Sequence, residues 1–406
     1  MSNDDCVLIA GAGPVGILTG LYLARAGVPV KLFDELAEIP TDHRAATLQP
    51  PTLRMMDDIG MTEKLLARGI RSPIFQFRDR VTDEPVAEFD FDLLKDETPY
   101  PFALQIEQHK TIHTALEVAR EFPDFVIRRP CAVTDVAQGA DHVEITITNE
   151  DGEEERHRGR YLIGCDGGRS VVRKSQDIEF PGFTWQERFI ICATPFDFAA
   201  AGGYRYRNYV AHPDQWCALM KVPGEEDEDG IWRCLFPAMT DDSDEVVTSD
   251  EWIQARFAEC LPFIPEYEIV HRNLYVIHQR VAASFYKGRV LLAGDSAHVN
   301  NPIGGMGMNG GIHDGINLAS KLIRIWRGEA GKDMFDLYDR QRRPMATKYV
   351  QAQTIQNKKT LQENDPVKRK ARLDDLRAIA ADPVRHRDYL RRMSLIAMIE
   401  EADSIT

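Results

Sequence analysis

The segment from Cys6 to Gly16 reads CVLIAGAGPVG, a short apolar run of strand length followed directly by a glycine loop. Ile17 to Arg25 then continues with helical spacing of apolar residues, and a second apolar run from Pro29 to Phe33 ends in Asp34. This order of strand, glycine loop, helix, strand and acid is the dinucleotide-binding fingerprint. Its glycines permit a tight turn and close approach of a pyrophosphate, its helix start supplies N–H groups to the phosphates, and its acid binds ribose hydroxyls.

The acid also narrows the choice of nucleotide. Asp34 lies 18 positions after Gly16, and an acid at this place favours a free ribose 2′-hydroxyl over a 2′-phosphate. We therefore expect a tightly held nucleotide linked through adenosine diphosphate, and FAD and NAD both satisfy this expectation. The residues expected to hold it are Gly11, Gly13, Pro14, Val15, Gly16, Asp34 and Glu35.

A second glycine-rich stretch lies between Gly288 and Lys321, GRVLLAGDSAHVNNPIGGMGMNGGIHDGINLASK. It predicts a buried strand from Val290 to Ala293, an acid at the strand end (Asp295), and a loop that leads into a helix. Six glycines between Gly304 and Gly315 exceed what packing ordinarily needs, because a helical glycine costs about 1 kcal/mol relative to alanine. A helix that begins near Gly307 would direct unpaired N–H groups and its positive dipole end at a flat or anionic group. A plain glycine-rich connection between strand and helix is the alternative.

The composition and net charge limit the kinds of protein and partner that are possible. The chain has 406 residues, 43% of them hydrophobic, which suffices for two domains or one elaborated domain with a substantial core. Its net charge of -15 argues against nucleic acid and anionic membrane as partners, since both favour a basic surface, and a small molecule is the expected ligand. Seven cysteines without a CxxC pair indicate reduced thiols in a cytoplasmic protein and no metal site. The one long apolar stretch, Cys6 to Ala24, contains the glycine loop, so we expect neither export nor a membrane span.

The spacing of apolar residues changes several times along the chain, and this predicts an α/β protein in which one domain is inserted into another. Alternating apolar and polar residues indicate strands of an antiparallel sheet in two stretches, from Ile74 to Phe91 and from Arg188 to Met239. An amphipathic helix pair is predicted from Pro366 to Glu400, with a dimer contact as the alternative use of its apolar side. We expect a Rossmann-like nucleotide-binding domain from residues 1–73, 103–180 and 281–330, an inserted, mainly antiparallel substrate domain from residues 74–102 and 181–280, and a helical C-terminal region at residues 331–406.

Three motifs occur in a fixed order: GAGPVG near the amino terminus, CDGGRSVVR from Cys165 to Arg173, and LLAGDSAHVNNPIGGMGMNGG two-thirds along the chain. In this order and spacing they resemble the single-component FAD-dependent aromatic hydroxylases, the 4-hydroxybenzoate hydroxylase-like flavoprotein monooxygenases, over residues 5 to 325. The resemblance implies a tightly but non-covalently bound FAD. It also implies hydroxylation of a phenolic or hydroxylated heteroaromatic ring with NAD(P)H and O2, through a flavin C4a-hydroperoxide.

The resemblance assigns roles to residues of the first and third motifs. The ADP half of FAD would lie against the first glycine loop and Asp34, and Asp295 would bind the ribityl or pyrophosphate region. Met308 and Asn309 would meet the flavin ring. The cofactor residues implied beyond the first loop are Arg44, Gln108, Asp166, Asp295, Gly305, Gly307, Met308 and Asn309.

Other residues receive roles through similar motifs. Arg44 lies in an Arg-Ala loop resembling the family loop whose arginine contacts FAD phosphate, and Gln108 matches a family glutamine near the flavin. Asp166 falls in a motif, completed by Arg173, that serves FAD and the nicotinamide donor together in the family. His298 in the third motif is predicted to be a hydrogen-bonding histidine, because it has no partner ligand at metal spacing.

The substrate and the electron donor are less closely specified. The chain contains one dinucleotide fingerprint, so NADH or NADPH is expected to bind transiently, as the resemblance also implies. Pro302 matches a family proline whose carbonyl faces the substrate. Tyr206 and Arg207 lie on opposite faces of a strand predicted from Tyr204 to Tyr209, where a tyrosine can relay a phenol proton and an arginine can hold a carboxylate. No residue is assigned as catalytic.

Two other functions fit parts of the sequence. A flavin dehydrogenase or reductase would need the same FAD pocket but would transfer hydride without oxygen insertion. A non-catalytic FAD-fold protein of the type that escorts prenylated GTPases would share only the amino-terminal fingerprint, and the second and third motifs speak against it. The expected partners are a small aromatic substrate and O2, and a homodimer is compatible with the sequence.

Overall fold

The structure is a computed structural model, and it describes residues 4–42, 45–225, 229–239 and 241–406. Its strands are β1 Val7–Ala10, β2 Val30–Phe33, β3 Thr47–Leu48, β4 Ile70–Ser72, β5 Ile74–Asp79, β6 Glu84–Asp90, β7 Ala103–Gln105, β8 Phe125–Arg128, β9 Cys131–Gln138, β10 Val143–Asn149, β11 Glu154–Gly159, β12 Tyr161–Gly164, β13 Gly182–Thr194, β14 Arg207–Ala211, β15 Cys217–Val222, β16 Ile231–Ala238, β17 His271–Val281, β18 Tyr286–Lys287, β19 Val290–Leu292 and β20 His298–Val299. Its α-helices are α1 Pro14–Arg25, α2 Pro50–Asp57, α3 Thr62–Leu66, α4 Gln108–Ala119, α5 Val171–Ser175, α6 Phe198–Gly202, α7 Asp244–Val247, α8 Asp250–Cys260, α9 Gly307–Trp326, α10 Asp333–Met345, α11 Ala352–Leu361, α12 Pro366–Ala381, α13 Pro383–Met393 and α14 Ile396–Ser404. Short 3-10 turns lie at Phe91–Leu94 and Gly294–Ser296, and a π-helical segment, Ala346–Gln351, joins α10 to α11.

The first sheet belongs to the nucleotide-binding fold, with the strand order β18-β19-β12-β1-β2-β8. β1 pairs in parallel with β2 and β12, β2 with β8, and β12 with β19, whereas β18 is antiparallel to β19. All four residues of β1 are buried, as expected for a parallel sheet that is covered on both faces. The shared direction brings the carboxyl ends of β1, β2, β12 and β19 to one edge, where the three motifs meet.

α1 and α9 pack directly against each other through small residues. A Cβ atom on Gly311 would lie 2.8 Å from the Cα of Gly294 and 2.9 Å from Cγ2 of Val15. A Cβ atom on Gly315 would lie 2.0 Å from Oγ1 of Thr19. These spaces have no room for a methyl group. Part of the glycine density that the sequence analysis attributed to a ligand is therefore required by helix packing.

The second sheet has eight strands in the order β20-β17-β13-β16-β15-β14-β5-β6. All neighbouring strands are antiparallel except β14 and β5, which run parallel. Apart from the edge strand β20, its strands come from residues 74–90 and 182–281, which confirms an inserted, mainly antiparallel sheet. The exact bounds of the domains stay a prediction.

The two faces of this sheet have different neighbours. One face packs against α6 and α8 through an apolar cluster that includes Phe236 and Phe257. The other face contributes Phe75 and Tyr209 to a cluster that also contains Ile303 from the glycine loop and buried residues of the C-terminal helices. The substrate sheet is thus covered on this second face by the nucleotide-binding loop and by the end of the chain.

Two local predictions are wrong. The strand predicted from Tyr204 begins instead at Arg207, because the residues before it form the end of α6 and a loop. The C-terminal region contains three helices rather than a pair, because Asp382 caps α13, with a proline at its first position, and Leu395 adopts φ +67° before α14.

The apolar sides of α12, α13 and α14 are used within the chain. Leu376, Leu390, Met393 and Met398 are all buried in the cluster on the second face of the substrate sheet. Among the described residues, every helix is too short or too polar to cross a membrane.

Candidate functional site

The loop after β1 leaves an open space at one of its glycines. Gly11 has φ +92°, and a Cβ atom there would lie 2.3 Å from the carbonyl oxygen of Cys165. A Cβ atom on Gly16 would lie 2.0 Å from the carbonyl oxygen of Gly11. At Gly13, by contrast, no atom of the described residues lies within 4 Å of the Cβ position. Two glycines of the fingerprint are therefore required by the chain itself, and the third leaves room for a ligand to approach the backbone.

α1 begins at this loop, with Gly13 as its N-cap and Pro14 at its first position. Proline suits that position because its missing N–H would have no partner within the helix. The N–H groups of Val15 and Gly16 lie in the first turn, where helix geometry supplies no acceptor and the positive end of the dipole is found. This arrangement fits the predicted pyrophosphate site.

Asp34, which follows β2, shapes the same glycine loop. Its Oδ2 accepts a hydrogen bond from the N–H of Ala12 at 2.6 Å, and its Oδ1 accepts one from the N–H of Leu36 at 3.0 Å. Arg129, directly after β8, donates to the carbonyl of Ala12 at 2.6 Å and lies 3.8 Å from the Asp34 carboxylate. The residue predicted to bind ribose thus also holds the loop in place, while Glu35 beside it is exposed.

Asp166 follows β12 and supports the start of the short helix α5, whose N-cap is Ser170. Its carboxylate accepts hydrogen bonds from Oγ of Ser170 at 2.6 Å and from the N–H of Val172 at 3.0 Å. Burial raises the pKa of Asp166, and these hydrogen bonds oppose the rise. The adjacent Gly167 has φ +77° and an open Cβ position among the described residues, so the turn presents bare backbone at the sheet edge.

Arg173 joins the second motif to the third. Its Nη1 donates to the carbonyl of Ser296 at 2.9 Å, and its Nη2 donates to the carbonyl of Gly168 at 2.9 Å. The guanidinium also lies 3.8 Å from the ring centroid of Phe180. The residue that completes the family motif therefore positions two loops relative to each other.

The third motif places its acid and its helix start as predicted. Asp295 is exposed in the turn after β19, at the same sheet edge as the other loops, and α9 begins at Gly307. Gly304 has φ +109°, which favours glycine. The carbonyl of Pro302 accepts a hydrogen bond from the N–H of Gly305 at 3.1 Å, so it closes a turn inside the loop.

The Asn309 side chain is fully used by the protein. Its Oδ1 accepts from the N–H of Gln49 at 2.9 Å and from Oγ1 of Thr52 at 2.6 Å. Its Nδ2 donates to the carbonyls of Thr47 at 2.8 Å and Gly305 at 2.7 Å. Asn309 was predicted to contact the flavin ring. Because its side chain is occupied, its backbone N–H in the first turn of α9 is the group that could make this contact.

The remaining cofactor residues fall in several places. Met308 and Gly307 are half-buried in the first turn of α9, and Gln108 is half-buried at the first position of α4. Arg44 lies outside the described residues.

Buried charges lie behind the glycine loop. Nε2 of His298 is 2.7 Å from Oδ2 of Asp314, and Oδ1 of Asp314 accepts from Nε of Arg342 at 2.7 Å. Burial alone would raise the pKa of Asp314, but Arg342 and His298 hold it below its ordinary value. His298 is therefore a hydrogen-bonding histidine, as predicted. His313 is also buried, 2.8 Å from Oγ1 of Thr52, and burial lowers its pKa to about 3.

Arg207 connects the substrate sheet to the glycine loop. Its side chain is only 1% exposed, and its Nη2 donates to the carbonyl of Gly304 at 2.9 Å. Its Nε and Nη2 also donate to the hydroxyl of Tyr209 at 3.0 and 2.8 Å, and its guanidinium lies 5.1 Å from the ring centroid of Phe75. Within the described part of the chain, Nη1 has no hydrogen-bond acceptor.

Tyr206 lies elsewhere. It is 38% exposed, and its ring lies 6.4 Å from that of Trp232, which belongs to the cluster on the opposite face of the sheet. Nζ of Lys221 lies 5.5 Å from the same ring. The structure thus brings Arg207 to the glycine loop and leaves Tyr206 on the other side.

Known proteins resemble this chain in sequence and in fold. Residues 4–353 match the family model described as FAD binding domain. The para-nitrophenol 4-monooxygenase of Pseudomonas sp. (strain WBC-3) is 33% identical over 372 residues, which cover 91% of this chain and 90% of that protein. The chain belongs to the FAD-dependent aromatic hydroxylases.

Two further relatives match over nearly their whole length. The 6-hydroxy-3-succinoylpyridine 3-monooxygenase of Pseudomonas putida (strain DSM 28022 / S16) is 31% identical over 395 residues, covering 96% of this chain and 98% of that protein. The crystal structure of p-nitrophenol 4-monooxygenase from Pseudomonas putida DLL-E4 superposes with a TM-score of 0.90 at 30% identity, covering 96% of this chain and 98% of that chain. Similarity of this extent to monooxygenases favours oxygen insertion over the dehydrogenase alternative.

The described residues fit FAD, the cofactor of this family. Gly13 leaves space for a pyrophosphate, and Asp34 stands at the end of β2 where a ribose binds in this fold. The first turns of α1 and α9 both present N–H groups at the same sheet edge. When bound, FAD would supply the redox chemistry that activates O2, and the protein would supply binding, orientation and electrostatics.

Two residues that shape this site were not predicted from the sequence. The position of Arg129 near the glycine loop could have been predicted, because Arg129 follows β8, and β8 lies beside β2 in a parallel sheet whose carboxyl strand ends share one edge. No such signal exists for Thr52, since its bond to Asn309 joins residues 257 positions apart.

Proposed function

We propose that the protein hydroxylates a small phenolic or hydroxylated heteroaromatic ring, with FAD, O2 and a transient NADH or NADPH donor. The observation that carries the proposal is the bond from Arg207 to the carbonyl of Gly304. It joins a buried, cationic position of the substrate sheet to the loop that precedes α9. A ring held at Arg207 would therefore lie beside the cofactor site.

The chain's own residues have three roles in this reaction. The first turn of α9 directs its dipole at the cofactor site and so favours negative charge there. Nη1 of Arg207, which has no acceptor among the described residues, can donate a charge-assisted hydrogen bond to an anionic or electron-rich group of the substrate. Buried apolar residues around it, including Ile303 and Met306, exclude water from the reacting ring.

The names of the relatives support the substrate class. One relative is named for para-nitrophenol and another for 6-hydroxy-3-succinoylpyridine, and both names describe a single small ring that carries a hydroxyl group. We propose a substrate of this size and type for the present chain.

We also propose that the nicotinamide donor docks at the turn after β12. Arg280 is the cross-strand partner of Val299, and Cγ1 of Val299 lies 3.3 Å from the Cβ position of Gly168, next to the open Gly167 turn. Arg169 follows Gly168 in the same turn, and burial lowers the pKa of His278 while Arg280 and Arg169 lower it further. Such a positive patch in a chain with a net charge of -15 suits the phosphates of the donor. Use of this donor is also the reason to propose a cytoplasmic location.

The test is oxygen uptake by the purified, FAD-loaded protein with NADH or NADPH and a panel of hydroxyphenyl and hydroxypyridine compounds. We expect uptake that depends on the ring and a product that carries one oxygen atom from O2, measured by mass spectrometry with labelled oxygen. Arg207→Met should lower product formation while FAD stays bound, and Arg205→Met, at an exposed arginine paired with Glu88, is the matched control. Turnover of a ring under nitrogen without oxygen incorporation would support a dehydrogenase instead.

A further inference from the structure

We propose that Thr52 and His313 are positioning residues for the flavin ring, and that they act through the buried side chain of Asn309. The proposal rests on the FAD site of the proposed function, because it takes the ring to lie at the start of α9. Neither Thr52 nor His313 was predicted from the sequence to have a role.

Three buried side chains connect α9 to α2, and we call them the Asn309 network. Asn309 and His313 lie one turn apart on α9, and Thr52 of α2 contacts both. Nε2 of His313 lies 2.8 Å from Oγ1 of Thr52, and this hydroxyl donates to Oδ1 of Asn309 at 2.6 Å. The three residues are at most 1% exposed, so water does not compete for these hydrogen bonds.

The single proton of the Thr52 hydroxyl fixes the direction of the network. Because this proton is donated to Asn309, the hydroxyl oxygen accepts from His313, which therefore carries its own proton on Nε2. Nδ1 of His313 has no partner among the described residues, and a buried lone pair without a donor is tolerated better than a buried N–H without an acceptor. Burial lowers the pKa of His313 to about 3, so the ring is neutral at pH 7. His313 is thus a fixed donor to Thr52.

The amide of Asn309 holds two backbone segments together. Its Oδ1 accepts from Thr52 and from the N–H of Gln49, which directs Nδ2 to the carbonyls of Thr47 at 2.8 Å and Gly305 at 2.7 Å. A Cβ atom on Gly305 would lie 3.2 Å from Cβ of Thr47, so the two segments are in contact. With the amide reversed, its oxygen would face both carbonyls and its NH2 group would face the N–H of Gln49. The network therefore fixes the spacing between β3 and the start of α9.

This spacing affects the cofactor through the dipole of α9. The first turn of the helix presents N–H groups and the positive end of the dipole, which stabilise the negative charge that a flavin ring gains on reduction. Loss of the Thr52 hydroxyl would remove one of the two donors to Oδ1 of Asn309 and leave the Nε2–H of His313 without an acceptor. We expect the start of α9 to move relative to the ring, which then becomes harder to reduce.

The experiment compares two threonines that each form one buried hydrogen bond. Thr52→Val removes the hydroxyl from the network. Thr62→Val is the matched control, because Thr62 is also buried and its Oγ1 donates to the carbonyl of Leu53 on α2 at 2.9 Å, a bond that does not involve Asn309. Both variants should lose a similar amount of stability in urea unfolding of the FAD-free protein. Thr52→Ser keeps the hydroxyl and tests for rescue.

The readouts are the absorption spectrum of bound FAD and its two-electron reduction potential, both measured without substrate. For Thr52→Val we expect a shifted flavin spectrum and a roughly two- to fivefold lower ratio of reduced to oxidised FAD at a fixed potential, which is about 10–20 mV. Thr62→Val should match the unaltered protein in both readouts, and Thr52→Ser should restore them. His313→Leu tests the network from its other end and should lower the potential in the same direction, whereas His313→Gln supplies an amide N–H and should restore it.

The outcomes separate the positioning role from the proposed function. If Thr52→Val changes the flavin spectrum and potential no more than Thr62→Val does, or if His313→Leu leaves both unchanged, the network does not position the ring, even where oxygen uptake shows that the hydroxylase function is correct. If the flavin readouts change as expected but no ring is hydroxylated, the positioning role stands and the proposed function fails. Unaltered protein that takes up no FAD would overturn both.

Discussion

Gly13 gives the sharpest test of the cofactor site, because its backbone and its surroundings allow a side chain in the absence of a ligand. It has φ -73° and ψ -174°, an extended conformation that any residue adopts, and the described residues leave its Cβ position open to 4 Å. Gly13→Ala should therefore stabilise the FAD-free protein by about 0.4–1 kcal/mol, since alanine restricts the unfolded chain. With FAD bound, the new methyl group would occupy the space through which the pyrophosphate approaches the backbone.

The expected loss of FAD affinity follows from the cost of overpacking. Inserting one methyl group into a filled site typically costs about 1–3 kcal/mol, which corresponds to a roughly 5- to 150-fold higher Kd. Titration of the FAD-free protein with FAD measures this change, and urea unfolding of the same preparation measures stability. Gly16→Ala is the contrasting variant, because its Cβ would lie 2.0 Å from the carbonyl oxygen of Gly11 and should destabilise the protein without FAD. Unchanged FAD affinity in Gly13→Ala would refute the assignment of the open space to the cofactor.

Further predictions concern the packing and the charges around α9. Gly311→Ala should destabilise the protein by about 1–2 kcal/mol in urea unfolding, because overpacking outweighs the gain in helix propensity. Gly310→Ala should instead stabilise it by about 0.5–1 kcal/mol, because the new Cβ would make ordinary contacts of 3.4 and 3.5 Å. Equal effects of the two variants would contradict the packing argument. Because His313 has its pKa lowered from 6.5 to about 3, the unfolded chain binds one more proton between these values, so stability should fall by about 1.4 kcal/mol per pH unit as pH decreases from 6.5. His313→Gln should remove this part of the slope in unfolding curves measured from pH 7 to 4, and an unchanged slope would show that another group is responsible. Arg342→Met removes one of the partners of the buried Asp314 carboxylate, so we expect the free energy of unfolding in denaturant to fall by about 3–5 kcal/mol. An unchanged free energy of unfolding would show that the Arg342–Asp314 pair does not stabilise the protein.

The cofactor edge was predictable from sequence because each of its parts has a local signal. A buried strand, a glycine loop and an acid follow one another within 29 residues between Cys6 and Asp34, and the strands are parallel, so their carboxyl ends must share an edge. The reason for individual glycines was not local. Gly311 and Gly315 are required by contacts with α1 almost 300 residues earlier, whereas Gly13 leaves space for a ligand, and a glycine-rich pattern does not separate these two reasons.

The substrate side was harder to predict for a related reason. Alternation along a strand separates two faces but does not say which face meets the cofactor, and a strand start that is wrong by three residues brings in side chains that belong to a loop. Tyr206 was chosen in this way, although its ring packs toward Trp232.

The glycine loop shows why the end of the chain cannot be treated as an independent tail. Three consecutive carbonyls of this loop accept hydrogen bonds from three different parts of the protein. The carbonyl of Ile303 accepts from Nδ2 of Asn357 on α11 at 3.3 Å, that of Gly304 from Arg207 on the substrate sheet at 2.9 Å, and that of Gly305 from Asn309 on α9 at 2.7 Å. Because one short segment is fixed from the cofactor fold, the substrate sheet and the C-terminal helices together, a shift in any of them moves the backbone that precedes α9. With the flavin ring at the start of α9 and the substrate at Arg207, as proposed, we expect the positions of the two to be coupled through these three hydrogen bonds.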